Sequence, residues 1–221
     1  MTAPPPSAPL ALLAGAGSRH GRVVALSLAE AGVEIALAAA TRATEQSFAV
    51  NSIANELWAI GRRHVVLSMD FHEPPSVAEA IAQILAEFGR IDVLVNAAEE
   101  AVSQPFAETP ESAWQRALDR NFGGARLTCH AAGKAMLERS GGRIINIVST
   151  AAVRGGAGAA PLAAAQAGVL GLTRSLAAEW GGRIAVNAVV AGDTTPPQAL
   201  GSLITLLAST PIELTGQVFE L

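Results

Sequence analysis

The sequence predicts a single-domain α/β fold with a doubly wound parallel sheet. Three observations carry this. Short, continuous apolar runs recur along the chain, as buried parallel strands require. Each is followed by a stretch with helical periodicity, and such alternation covers a parallel sheet on both faces. The 221 residues are half hydrophobic and only 15% charged, enough apolar material for one core. Residues 1–9, MTAPPPSAP, read as a Pro-rich tail and residues 10–221 as the domain, with no internal repeat or linker.

The first apolar run is Leu10 to Ala14, which meets a glycine cluster, Gly15 to Gly21. Val23, Val24, Leu26, Leu28 and Ala29 start a helical pattern that stops at Gly32. Val33 to Ala38 is a second strand, and Ala43 to Ile60 a helix with Ile53, Leu57 and Ile60 on one face. His64 to Met69 is a third strand. Ser76-Val77-Ala78-Glu79 reads as a capping box opening a helix that Gly89 ends. Ile91 to Val95 is a fourth strand. Thr109-Pro110 reads as an N-cap followed by proline at the first helical position, opening a helical region to about Glu138 with a bend near Gly123-Gly124. Arg143 to Val148, Ile184 to Val190 and Gln217 to Leu221 are the last strands. Helices at Ala160 to Trp180 and Leu200 to Ala208 separate them.

Several function classes are excluded. A net charge of −4 with scattered basic residues leaves no footprint for nucleic acid or an anionic membrane. No apolar run reaches the roughly 18 residues that span a bilayer. The N-terminus lacks the basic and apolar regions of a signal peptide, so a cytoplasmic location is expected. The single cysteine, Cys129, rules out a disulfide framework or a cysteine-cluster metal centre, and no metal site is expected.

A strand, a glycine-rich turn and a helix can hold a pyrophosphate, because the helix N-terminus offers free N–H groups and glycines admit close approach. A tight βα connection would look the same. Further segments decide. Leu13-Ala14-Gly15-Ala16-Gly17-Ser18-Arg19-His20-Gly21 resembles the Thr-Gly-x-x-x-Gly-x-Gly turn of the short-chain dehydrogenase/reductase family, and Asp92-Val93-Leu94-Val95-Asn96-Ala97-Ala98-Glu99 resembles its Asp-x-Leu-Val-Asn-Asn-Ala-Gly segment. The stretches 141–147, 167–179 and 183–189 also match family segments. The resemblance, to 3-oxoacyl-carrier-protein-reductase-like members, covers nearly the whole chain from Leu10. It implies a Rossmann-type fold binding NAD or NADP, with Gly15, Ser18, Arg19, Gly21, Arg42, Asp70, Phe71, Asn96, Ala97 and Thr194 in cofactor-binding positions. Arg42, with no acid at the end of the second strand, leans toward NADP.

The same resemblance exposes departures. Arg19 stands where the middle glycine belongs, Ala97 where the second asparagine belongs, and Glu99 where a glycine lets the backbone pass the cofactor ribose. Asn121 and Ser149 keep two catalytic positions. The spacings of thirteen and four after Ser149 bring Leu162 to the tyrosine position and Gln166 to the lysine position. Carbonyl reduction needs an acid that protonates the developing alkoxide and a neighbouring cation that tunes it. Leucine has no such proton, glutamine no such charge, and the chain has no tyrosine. His20, His64, His72 and His130 lie outside this segment. After the sixth strand the chain reads Val190-Ala191-Gly192-Asp193-Thr194-Thr195-Pro196-Pro197 and enters the next helix, so the family's helical substrate lid is missing.

The sequence therefore predicts a degenerate family member without standard carbonyl reduction. It would act as a homodimer or homotetramer, or as a hetero-oligomer with an active relative. An oxidoreductase with another proton donor and a non-redox enzyme reusing the cleft near Ser149 are the alternatives.

Overall fold

The computed structural model describes residues 8–71, 73–100, 103–139 and 141–221. Residues 1–7 of the expected tail, and His72, lie outside the described residues. A seven-stranded sheet has the order β3-β2-β1-β4-β5-β6-β7. Its strands are β1 (Leu10–Ala14), β2 (Glu34–Ala38), β3 (His64–Leu67), β4 (Val93–Asn96), β5 (Gly142–Val148), β6 (Ile184–Val190) and β7 (Val218–Glu220). Every neighbouring pair is parallel. The doubly wound single domain expected from the sequence is the observed one.

Helices cover both faces. On one side α1 (Gly21–Glu30), α2 (Thr44–Ala59) and α8 (Pro197–Ser209) pack through Val24, Leu28, Ile53, Leu57 and Ile204 onto Leu13, Ile35, Val95 and Ile145. On the other, α3 (Pro74–Phe88), α5 (Gly124–Leu137) and α7 (Ala160–Trp180) pack through Val77, Ile84, Met136 and Ala177 onto Leu12, Leu67, Leu94 and Ile144. Neighbouring residues of one strand thus serve opposite layers. All five residues of β1 are fully buried, which is why it reads as an unbroken apolar run.

Two local expectations are corrected. The capping box at Ser76 does not form: α3 starts earlier, with Pro74 and Pro75 in its first turn, where the missing N–H groups need no cap. The Ser76 hydroxyl instead accepts the Asp70 N–H at 3.1 Å. Thr109 is not an N-cap either. Its hydroxyl donates to the Pro105 carbonyl at 3.1 Å across a short 3₁₀ turn, Phe106–Glu108. Pro110 takes the cap position of α4 (Glu111–Leu118). The expected bend is a π-helical turn, Asp119–Gly123, between α4 and α5.

A buried polar ladder ties β4 and β5 to the helices behind them. The Thr128 hydroxyl donates to Asn96 Oδ1 at 2.6 Å, Asn96 Nδ2 to Asn146 Oδ1 at 2.8 Å, and Asn146 Nδ2 to Thr173 Oγ1 at 2.9 Å. Asn96 and Asn146 are also register partners across the β4–β5 pairing. The chain of hydrogen bonds meets the requirement that buried polar groups be partnered.

Candidate functional site

Sheet order reverses at β1, between β2 and β4, and such a switch point opens a crevice at the carboxyl ends of the strands. The glycine turn enters it. Gly15 leaves β1 at φ +83°, and its N–H and that of Ala16 both donate to the Ala38 carbonyl at 2.8 Å. A Cβ on Gly15 would lie 2.4 Å from Ala98 N, and one on Gly21 would lie 1.8 Å from Ala16 O. Both glycines are therefore required by the turn itself. Ser18 Oγ and His20 Nε2 are buried without a hydrogen-bond partner. Burial, with the Arg19 charge beside it, pushes the His20 imidazole from its usual 6.5 down to about 4.

Arg19 reaches across the crevice mouth. Its Nη2 donates to both carboxylate oxygens of Glu99, at 2.7 and 2.9 Å, and its Nη1 to Asp193 Oδ1. Three loops meet in this clasp: the β1–α1 turn, the segment after β4 and the segment after β6. The Glu99 side chain is 13% exposed and the Asp193 side chain 89%. Glu99 and Arg19, two separate departures in the sequence, are partners in the structure.

Beside the clasp, Gln46 Oε1 accepts the N–H groups of Ala40 and Thr41 at 2.9 and 3.3 Å, closing the end of β2. Arg42 pairs with Glu73 at 3.3 Å, both half exposed. A cavity of about 390 Å³ lies between α2 and the ends of β2 and β3, lined by Thr41, Arg42, Ser47, Asn51, Val66 and Ser68 among others. Phe71 is buried with its ring against Gly124, where a Cβ would come within 2.1 Å of it. The Asp70 N–H goes to Ser76.

At the other end, Gln166 is 1% exposed and its Oε1 accepts the Ser149 N–H at 2.7 Å. The Ser149 hydroxyl accepts the Ala151 N–H at 3.3 Å, where the short helix α6 (Ala151–Arg154) begins. Leu162 is buried in the first turn of α7. Asn121 is fully engaged: Nδ2 donates to the Ala117 and Glu100 carbonyls, and Oδ1 accepts the Glu100 N–H. It braces the π-helical turn against the loop after β4. Phe71, Asn96, Ala98, Asn121 and Gln166 converge on a cavity of only about 10 Å³, room for about one water molecule.

The structure thus brings Phe71, Asn96, Asn121 and Gln166 together, and Ser149 joins them through Gln166. Ala97 is buried under the β1 turn, where its N–H donates to the Ala14 carbonyl. Arg42 lies at the distal end of the crevice, and Thr194 is exposed. Residues 191–196 alone join β6 to α8, so the connection has no room for a helical lid. Asp193 and Gln46 were missed in the sequence, for neither sits in a recognisable motif. Among the described residues, no cluster of His, Cys, Asp and Glu is placed to hold a metal ion, and no helix is long and apolar enough to cross a membrane.

A family model described as short chain dehydrogenase matches residues 9–201. The chain is 35% identical over 187 residues to a 3-oxoacyl-[acyl-carrier-protein] reductase of Synechocystis, covering 84% of this chain and 74% of that protein. It is 33% identical over 194 residues to a 2-dehydro-3-deoxy-D-gluconate 5-dehydrogenase of Pseudoalteromonas atlantica, covering 86% and 75%. Among solved structures, a short-chain type dehydrogenase/reductase from Mycobacterium marinum superposes with a TM-score of 0.88 at 30% identity, covering 97% of this chain and 94% of that one. A variant of actinorhodin polyketide ketoreductase, solved with NADPH, superposes with a TM-score of 0.88 at 25% identity, covering 97% and 95%.

Proposed function

This chain belongs to the short-chain dehydrogenase/reductase family, and from that premise we propose that it is a non-catalytic member. It keeps the scaffold of an oxidoreductase, lacks carbonyl reduction, and works through self-assembly or pairing with an active relative. The observation that carries this reading is Gln166. In the position of the family's lysine it is buried and spends its acceptor on the Ser149 backbone. Beside it Leu162 offers no proton, so no acid and no cation face a carbonyl held by Ser149.

The cofactor reading follows the same line. Gly15 and Gly21 keep a turn that fits a nucleotide, and NADPH is bound in the ketoreductase structure. The rest of the crevice does not fit a dinucleotide as it stands. Arg19 spans the mouth between two carboxylates, and about 10 Å³ remains around Gln166. A nicotinamide cofactor would supply hydride, and Leu162 and Gln166 offer no acidic proton to follow it. Arg42 still favours a 2′-phosphate over none. The small residues Ala160, Ala163, Ala164, Ala167 and Gly171 on α7 suit close helix approach in a dimer or tetramer. A cytoplasmic location fits this reading.

The test is calorimetric titration with NADPH and then NADH, together with an NADPH oxidation assay on a panel of carbonyl substrates. Absent turnover is the expected result. Turnover on any substrate would replace this reading with that of an oxidoreductase using a different proton donor.

A further inference from the structure

We propose that Asp193 is an autoinhibitory latch: paired with Arg19, it keeps pyrophosphate-bearing nucleotides out of the crevice, and a nucleotide that binds does so by displacing it and releasing residues 193–195. This rests on the reading of the crevice as the family's nucleotide cleft without its hydride chemistry.

The two arms of the clasp differ. Glu99 is largely buried and takes two hydrogen bonds from one nitrogen of Arg19, so it is the fixed arm. Asp193 is 89% exposed, on a connector outside helix and strand. An exposed ion pair of this kind is weak and screened by salt. Asp193 also sits inside a small turn, with Gly192 N–H donating to Thr195 Oγ1 at 2.9 Å and Thr195 N–H to the Gly192 carbonyl at 3.2 Å. Ala191, fully buried with its N–H on the Val148 carbonyl, and the buried Gly192 anchor the turn, so residues 193–195 can swing from that anchor with only the turn's own two hydrogen bonds to break.

Charge explains what the latch excludes. Two carboxylates around one guanidinium leave the mouth with one net negative charge, which repels a polyanion. Removing Asp193 leaves a neutral pair and frees Arg19 Nη1 beside the first turn of α1. Ser18 Oγ and His20 Nε2, on either side of Arg19 in sequence, are the buried polar groups still without partners there. Arg19 is therefore the phosphate ligand in waiting. If it were only an obstruction in a glycine position, removing it would help binding. As a latched ligand, its removal takes away the phosphate contact and leaves Glu99 and Asp193 uncompensated, and should weaken binding.

The experiment is calorimetric titration of inorganic pyrophosphate and of ADP into wild type, Asp193→Asn and Arg19→Gly at fixed ionic strength, with hydrogen exchange followed across residues 191–196. Asp193→Asn, an exposed neutral substitution, should bind pyrophosphate about two- to fivefold tighter than wild type, the effect of one exposed charge. Arg19→Gly should bind more weakly than wild type, and saturating ADP should speed exchange in 193–195 of the wild type, above all at the Thr195 N–H that the turn holds. Equal affinity of Asp193→Asn and wild type, including no binding by either, would overturn the latch, as would tighter binding by Arg19→Gly. None of these readouts involves NADPH oxidation, so they stand apart from the test of catalysis.

Discussion

The Gln166 side chain accepts the Ser149 N–H at 2.7 Å, with both residues buried at the end of β5. The side chain thereby acts as a structural tie between α7 and the end of β5. Gln166→Leu should strand that N–H and cost about 1–3 kcal/mol of stability, read from urea denaturation. Gln166→Lys should cost more, because no carboxylate lines the small cavity to partner a buried ammonium. Equal stability of all three proteins would show that the tie contributes nothing.

Restoring the pair outright, Leu162→Tyr with Gln166→Lys, should still give no efficient carbonyl reduction. The clasp spans the crevice mouth and only residues 191–196 lie where a lid would exclude water. Steady-state turnover of the double variant comparable to an active relative would show that the proton pair alone was missing.

Acid should destabilise the protein through His20. Its imidazole titrates near 6.5 when unfolded and is pushed to about 4 when folded. Below pH 6.5 the unfolded chain takes up a proton that the fold refuses. The stabilising contribution is therefore whole above pH 6.5, is lost as pH falls toward 4, and amounts to about 3 kcal/mol at most. His20→Gln should flatten the stability profile between pH 6.5 and 4. A variant with the wild-type slope would assign the effect elsewhere.

Two left-handed glycines should respond differently to alanine. Gly32 has φ +95° and nothing within 4 Å of a new Cβ, so Gly32→Ala should cost only the backbone strain, about 1–2 kcal/mol. Gly15→Ala adds overlap with the Ala98 backbone and should cost about 2–5 kcal/mol. Denaturation midpoints of the two variants decide; equal losses would mean that the loop at Ala98 yields freely.

Cys129 should be inert in the folded protein. Burial raises its thiol to about 12, although Asn96 and Asn146 hydrogen-bond to it. Alkylation by iodoacetamide at pH 8 should proceed only at the rate of unfolding. Fast labelling of native protein would reveal an opening of α5 away from the sheet.

The fold was legible because the central strands, such as β1 and β4, are apolar and buried on both faces while the helices are apolar on one, so the apolar pattern separated them. Helix starts were less legible. Ser76 and Thr109 have the chemistry of caps, yet nearby groups, the Asp70 N–H and the Pro105 carbonyl, claimed their hydroxyls. At the site, the sequence marked Arg19 and Glu99 as departures but could not pair them. Their partners lie 80 and 174 positions from Arg19, and such contacts leave no local pattern. Gln166 was read for the charge it does not carry, and its role as acceptor for the Ser149 N–H, 17 positions away, left no local pattern.

The ladder through Asn96 and Asn146 has a consequence for how the sheet finds its alignment. Leu94, Val95, Ile144 and Ile145 around it are aliphatic residues that a sliding strand could exchange with little penalty. Two facing amides cannot be exchanged that way. A slip of one residue would turn each toward the opposite layer and leave Thr128 and Thr173 facing hydrocarbon. The asparagines thus act as a key that only one alignment of β4 and β5 accepts, set beside aliphatic neighbours that fit more than one.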